Sequence, residues 1–258
     1  MTGVKDKVAL VTGAGSADGI GFATAQLLRA AGARVAITST TERIFDRLKD
    51  LDGDDRHCFA APADLTRPDA VAALITEIEA GLGPIDIVVN NAGMVQVGRD
   101  ESAGEMATMS DESWQYGLDI NLSSAFYVTR AALKGMIARN YGRIIHMSSV
   151  TGPVVGIAGS SVYGAAKAGM LGMARSLAIE VGAHNITVNC IGPGWIQTGS
   201  SSNEEIIAGK YTPAGRPGTP DEVGHVAVFL ASEEASYING QLIVVDGGNT
   251  VQEYKVNI

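Results

Sequence analysis

The feature that most restricts the fold of this chain is an alternation, in which short β-branched runs recur between longer stretches of helical period. "VALVTG" (8–13) is followed by "GIGFATAQLLRAAG" (19–32) and "RVAIT" (34–38). Further runs are "IDIVVNNAG" (85–93), "RIIHMSS" (143–149), "ITVNCIGPG" (186–194) and "LIVVDGG" (242–248). Strands that alternate with helices in this way run parallel and are joined by crossover helices. In the first helical stretch Ile20, Ala23, Leu27, Leu28 and Ala31 fall on one face, and Gly32 sits where a C-terminal cap belongs. No fixed-period repeat, low-complexity tract or linker divides the 258 residues, which suffice for one large core. The expected architecture is a single α/β domain over 1–258 around a central parallel sheet.

Charge and composition narrow the function. A net charge of -9 and the lack of any Lys/Arg run argue against a phosphate-backbone binder, so no nucleic-acid partner is expected. The opening "MTGVKDKVALVTG" has no apolar run of signal-peptide length, and no stretch approaches the roughly 20 apolar residues of a membrane span. A cytoplasmic protein without membrane contact is expected. Cys58 and Cys190 lie far apart and share no ligand spacing with His57, His146, His184 or His225, so both read as reduced, buried thiols and no metal is implied.

"TGAGSADGIG" (12–21) lies between the first predicted strand and the first predicted helix, the context in which a glycine-rich stretch means a dinucleotide site. Gly13 would make the tight turn, Gly19 would let the backbone approach the pyrophosphate, and Gly21 would allow close packing of helix on strand. The N–H groups at the helix start, with Ser16 and Ile20 beside them, would face the phosphates. An NAD site normally carries an acid at the end of the second strand to hold the ribose 2′-hydroxyl. Here that end reads Ser39, Thr40, Thr41, with Arg43 just beyond. A neutral, hydroxyl-rich end with a nearby cation tolerates a 2′-phosphate, so NADP(H) is favoured and NAD(H) stays possible.

Two further patterns carry polar groups where packing alone does not need them. In "SSVYGAAKAGMLGMARSLA" (160–178) Tyr163 and Lys167 stand one above the other on a helical face. Taken alone the pair reads as a surface aromatic lying along a lysine stem. In "SWQYGLDINLSSAFYVTRAAL" (113–133) Asn121 falls among Trp114, Leu118, Leu122 and Ala125, and an amide on an apolar face needs a partner. Taken alone that is a structural hydrogen bond or a helix kink.

With the glycine loop, "NNAG" (90–93), Ser149, the Tyr163/Lys167 pair, "PG" (193–194), Thr198 and "VDGG" (245–248) in this order, nearly the whole chain resembles the short-chain dehydrogenase/reductase family. The resemblance implies a doubly wound Rossmann fold with helices on both faces of about seven strands, and reversible hydride transfer between a nicotinamide cofactor and a carbonyl or secondary alcohol. It makes Tyr163 the general acid/base. A phenol titrates near about 10, and an ammonium one turn away favours the phenolate, which brings proton exchange towards neutral pH. Lys167 would also hold the nicotinamide ribose. Ser149, chosen over Ser148 by its distance to Gly152, would donate to the substrate oxygen. Asn121 would be the fourth catalytic member, holding a relay water. Asp64 resembles the residue that contacts the adenine, although an Asp in "PADLTRP" equally serves as a turn or cap residue. By the same resemblance Leu65, Asn91, Ala92, Gly93, Pro193, Gly194, Ile196 and Thr198 line the cofactor, and Val155 and Trp195 the substrate. The favoured activity is that of a 3-oxoacyl thioester reductase, with a polyol, sugar or other alcohol dehydrogenase as the alternative. A dinucleotide-binding sensor or scaffold without turnover is the rival of another class. Helices at about 113–139 and 163–181 would meet between subunits as a homotetramer.

The chain departs from the family pattern in three places. Five residues separate Gly13 and Gly19 where three are usual, as if Ala17-Asp18 were inserted, which brings an acid towards the phosphates. The step from Ser149 to Tyr163 is one residue longer than common, and the segment 94–111 is long. The stretch after the sixth strand, about 195–217, reads as a mobile lid over the nicotinamide end. Trp195, Ile196, Ile206, Ile207, Val154 and Val155 would supply apolar surface under it, with Arg99, Lys210 and Arg216 at its rim.

Overall fold

The computed structural model describes residues 3–51, 56–94 and 103–253. Seven strands form one parallel sheet: β1 (Val8–Thr12), β2 (Arg34–Ser39), β3 (Cys58–Pro62), β4 (Ile87–Asn90), β5 (Gly142–Met147), β6 (Ile186–Pro193) and β7 (Leu242–Val245). Their spatial order is β3-β2-β1-β4-β5-β6-β7. The helices are α1 (Ile20–Ala30), α2 (Ile44–Asp50), α3 (Pro68–Leu82), α4 (Asp111–Leu118), α5 (Ser124–Arg139), α6 (Ser161–Val181), α7 (Asn203–Lys210) and α8 (Pro220–Ala231).

Strand alternation divides the core into two layers. Ala9 and Val11 of β1 face a cluster built with Phe22 and Leu28 of α1 and Val223 and Val228 of α8. Val8 and Leu10 face the opposite cluster, with Ile78 of α3, Met136 of α5 and Leu177 of α6. From β1 the chain moves outward through β2 and β3, then crosses back to β4 on the other side. The loops leaving the carboxyl ends of β1 and β4 therefore diverge and open a crevice, where doubly wound sheets bind ligands.

The long helix expected at 113–139 begins at Asp111 and is broken by a π-helical turn over Asp119–Ser123. A π turn inserts one residue into the helical repeat and rotates the buried face. Trp114, Leu118 and Leu122 are half-buried, while Gly117, Ile120, Asn121, Ser124 and Ala125 are buried. Both cysteines are buried and reduced. Among the described residues no helix is long and apolar enough to cross a membrane, and no group of three or more His, Cys, Asp or Glu could hold a metal ion.

Candidate active site

The glycine loop is clamped from β4. Thr12 Oγ1 accepts from the backbone N–H of Asn91 and of Ala92, both at 3.0 Å, and Asn91 Nδ2 donates to the carbonyls of Thr12 and Gly13 at 3.1 Å. Gly13 has φ +68° and a Cβ there would lie 2.7 Å from Ala92 Cα, so only glycine makes this turn. The side chain of Asn91 thus fixes the loop. Thr12, absent from the expected site, is its organiser, and its one signal in the sequence is that it directly precedes Gly13.

Whether these residues fit a dinucleotide is decided at the start of α1. Its cap, Gly19, offers no side chain to the helix, and no acid lies in the first turn. Helices α7 and α8, by contrast, are closed by capping boxes (Ser202 with Glu205, Thr219 with Glu222) and carry acids in their first turns. The first N–H groups of α1, from Ile20 and Gly21 onward, are left to an anion such as a diphosphate. At the end of β2 a Cβ placed on Gly15 would lie 2.6 Å from Arg43 Nε and 3.0 Å from Ser39 Oγ. Ser39 is buried and Thr40 exposed, so a hydroxyl and a guanidinium meet beside the loop. Asp64 uses Oδ1 to accept from the N–H and the hydroxyl of Thr66, a turn that precedes α3. The side chain of Leu65 is committed to the core.

Four segments converge at the carboxyl ends of β4 and β5. A Cβ on Gly93 would lie 2.7 Å from Asn121 Oδ1 and 3.3 Å from Lys167 Nζ, so these three residues meet. Asn121 accepts from the Met94 N–H at 3.0 Å and donates to the Gly117 carbonyl at 3.1 Å. Its amide braces the π turn against the loop after β4, which is the structural partner that its place on an apolar face requires. Lys167 Nζ donates to the Met147 carbonyl at 2.9 Å and lies 5.4 Å from the centre of the Tyr163 ring. Lys167 is buried, and burial pushes its pKa down to about 8.

The two serines differ in what they have left to donate. Ser148 gives its proton to the Lys167 carbonyl at 2.8 Å, fixing α6 on β5. Ser149 Oγ accepts from the Thr151 N–H at 3.1 Å, which leaves its own proton for another acceptor. Gly152, at φ +101°, runs against Gly164, whose carbonyl oxygen a Cβ would strike. That backbone contact joins the loop carrying Ser149 to the turn of α6 carrying Tyr163, which is half-buried.

A buried network lies beneath this site. Asn90 Nδ2 donates to Thr129 Oγ1 at 2.9 Å and sits 3.2 Å from His146 Nδ1. Burial, and secondarily the charge of Lys167, lowers the pKa of His146 to about 4, so the imidazole is neutral. Of the four histidines, His146 belongs to the core. His184 and His225 pair at the surface with Asn140 and with the Asp221 carbonyl.

The stretch 195–217, expected as a lid, is pinned at its base. Gly218 N–H donates to the Trp195 carbonyl and Gln197 N–H to the Gly218 carbonyl, at 2.8 and 2.9 Å, and Ile196 bridges to Gly218. Pro193 accepts from the Val150 N–H, and Gly194 donates to Val245. Further along, the Ala214 N–H reaches the Gly247 carbonyl at 3.1 Å, and between these two anchors lie the turn at 198–201 and α7. Arg216, expected at the rim, is tied to Glu222 by two bonds of 2.6 and 2.9 Å. Lys210 is exposed, and Arg99 lies outside the described residues. The Gly104 N–H donates to the Gly159 carbonyl at 2.9 Å and ties the long segment after β4 to the loop after β5.

Residues 13–250 match the family described as enoyl-(acyl carrier protein) reductase. The chain is 40% identical over 249 residues to the 3-oxoacyl-(acyl-carrier-protein) reductase FabG of Vibrio cholerae, covering 95% of this chain and 98% of that one. The chain belongs to the short-chain dehydrogenase/reductase family. As a short-chain dehydrogenase/reductase it is an NAD(P)-dependent oxidoreductase. Another member, nodulation protein G of a Rhizobium, is 41% identical over 254 residues, 96% of this chain and 97% of that one. The solved structure of a putative gluconate dehydrogenase from Agrobacterium tumefaciens superposes with a TM-score of 0.87 at 33% identity, over 97% of this chain and 98% of that one.

Proposed function

We propose that the chain reduces 3-oxoacyl thioesters with NADPH, using Tyr163, Lys167, Ser149 and Asn121. The similarity to a 3-oxoacyl-(acyl-carrier-protein) reductase over nearly the full length of both chains carries the substrate class. The surface supports it: Met94 after β4, Val154 and Ile157 after β5, and Ile207 and Tyr211 in the lid all leave large apolar side chains exposed at the carboxyl edge of the sheet. Trp195 and Val155 are half-buried beside them. An acyl chain covers such surface when the lid closes, and a polyol does not.

A bound nicotinamide supplies the hydride. Ser149 donates its remaining proton to the substrate carbonyl oxygen and polarises it. As the carbonyl carbon takes the hydride, Tyr163 gives its phenolic proton to the same oxygen, leaving an alcohol and a phenolate. The Lys167 ammonium stabilises that phenolate, holds the nicotinamide ribose with its other N–H groups, and with Asn121 passes a solvent proton back to Tyr163. Along the crevice, Gly13, Ser16, Gly19, Ile20 and Gly21 hold the diphosphate, Asp64, Leu65, Asn91, Ala92 and Gly93 border the adenosine, and Pro193, Gly194, Ile196 and Thr198 border the carboxamide. Ser39, Thr40 and Arg43 receive a 2′-phosphate, and the last residue of β2 is Ser39 rather than the carboxylate that would select a bare hydroxyl.

The test is an absorbance assay with NADPH and NADH against a medium-chain 3-oxoacyl thioester and the matching 2-enoyl thioester, and with NADP+ and NAD+ against gluconate in the oxidative direction. A charged hydrogen bond is worth about 1.5–3 kcal/mol, so NADPH is expected to exceed NADH by about tenfold or more in kcat/KM, with the 3-oxoacyl thioester the best substrate. Higher efficiency with gluconate and NAD would replace this reading by that of a sugar-acid dehydrogenase.

A homotetramer in the cytoplasm completes the proposal. Phe126 on α5 and Ile179 on α6 are exposed, at 41% and 85%, and Trp114 and Leu118 on α4 are half-buried, so apolar side chains reach the surface of these three helices. Closed symmetry makes such faces self-complementary. Sedimentation at micromolar concentration is expected to show four chains, and a monomer contradicts it.

A further inference from the structure

Asp18 is the one acid in the glycine loop, and it lies immediately before Gly19, the cap of α1. It is exposed, and no hydrogen bond or ion pair engages its carboxylate among the described residues. Its position is nevertheless defined. A Cβ placed on Gly199 would lie 3.3 Å from Asp18 Oδ2 and 3.8 Å from Ser16 Oγ, so the glycine loop and the first turn of the lid meet at this acid. Gly199 directly follows Thr198, whose hydroxyl and N–H are tied to Ser200 and Ser201 in a compact turn. The added length of the loop therefore carries a negative charge to the junction between the open helix start and the turn that follows Thr198.

We propose that Asp18 is a positioning residue that weakens dinucleotide binding and couples it to the lid. The inference rests on the dinucleotide site described above. A diphosphate at the start of α1 lies well within a Debye length of about 8 Å from a residue adjacent to the cap, so the two like charges repel with little screening. Because the carboxylate rests on Gly199, the repulsion also bears on the lid, and opening the lid hastens cofactor release. The added loop residues become a device for turnover.

An acid before a helix also favours the helix dipole, and that purely structural role moves thermal stability while leaving cofactor affinity alone. The experiment titrates NADPH and NADH by fluorescence into the wild-type chain, Asp18→Asn, Gly199→Ala and the double variant, at low and high salt. Asp18→Asn is expected to lower Kd about three- to tenfold at low salt, with the gain shrinking as salt rises, and to slow cofactor displacement. Gly199→Ala displaces the carboxylate, so it is expected to change Kd when Asp18 is present and to have no effect in Asp18→Asn. Unchanged or weaker binding in Asp18→Asn, with wild-type binding intact, overturns this inference alone. Equal effects of Gly199→Ala in both backgrounds overturn the coupling to the lid. A wild-type chain that binds neither cofactor overturns the dinucleotide reading and this inference with it.

Discussion

Tyr163→Phe is expected to lower kcat by at least about two orders of magnitude while NADPH binds as before. General acid catalysis by a placed side chain contributes about 10²- to 10⁴-fold, and the substitution removes the phenolic hydroxyl while keeping the ring. The ring stays half-buried on the first turn of α6, and the Gly152–Gly164 contact that positions this turn does not involve the hydroxyl. The loss therefore belongs in kcat and kcat/KM together, as for a group that acts in the transition state. Single-turnover kinetics with a fluorescence titration of cofactor check it. Near-normal turnover refutes the role of Tyr163.

Lys167→Met is expected to remove activity to a similar degree, weaken cofactor binding and raise the thermal midpoint at neutral pH. The unfolded lysine titrates near about 10.4, whereas burial brings the folded group to about 8. Between these values the unfolded chain binds more protons, so this group adds stability as pH rises through that window, and at pH 7 the buried charge opposes folding. A methionine of similar volume lifts that opposition, at the loss of one bond to the Met147 carbonyl. The same titration sets a sign for catalysis: kcat/KM for reduction falls as pH rises above about 8, because the ammonium that supports Tyr163 is lost. Thermal melts and a pH profile check both. A lower midpoint with retained activity contradicts the assignment.

How much of this was legible in the sequence depended on whether a feature was local. Six strands announced themselves as β-branched runs, but β3, "CFAAP", did not, because alanine and proline hide a strand whose place is fixed by pairing with β2. The helical spacing from Trp114 and Leu118 to Leu122 and Ala125 runs across a π turn that no local signal announces, since an inserted residue leaves the apolar pattern readable as ordinary helix. The two-residue signals "TG" and "SS" held more than their length suggests. Thr12 clamps the loop after β4, and Ser148 and Ser149 divide between a structural and an available hydroxyl, which the sequence orders but cannot tell apart by chemistry. The meeting of Gly93, Asn121 and Lys167 joins positions up to 74 residues apart, from residue 93 to 167, and no local period encodes it. The inserted Asp18 was visible as an oddity, while its neighbour Gly199 came from the fold alone.

The most direct measurement of the proposed chemistry is isotope transfer. The purified chain is incubated with NADPH carrying deuterium at the transferable C4 position and a medium-chain 3-oxoacyl thioester, and the product is weighed by mass spectrometry. The 3-hydroxyacyl product is expected to carry the deuterium at its new carbinol carbon, and Tyr163→Phe to yield almost none in the same time. Tight binding of the cofactor with no label passed to this thioester, to the enoyl thioester or to any other carbonyl offered would contradict the enzyme and leave a dinucleotide-binding scaffold in its place.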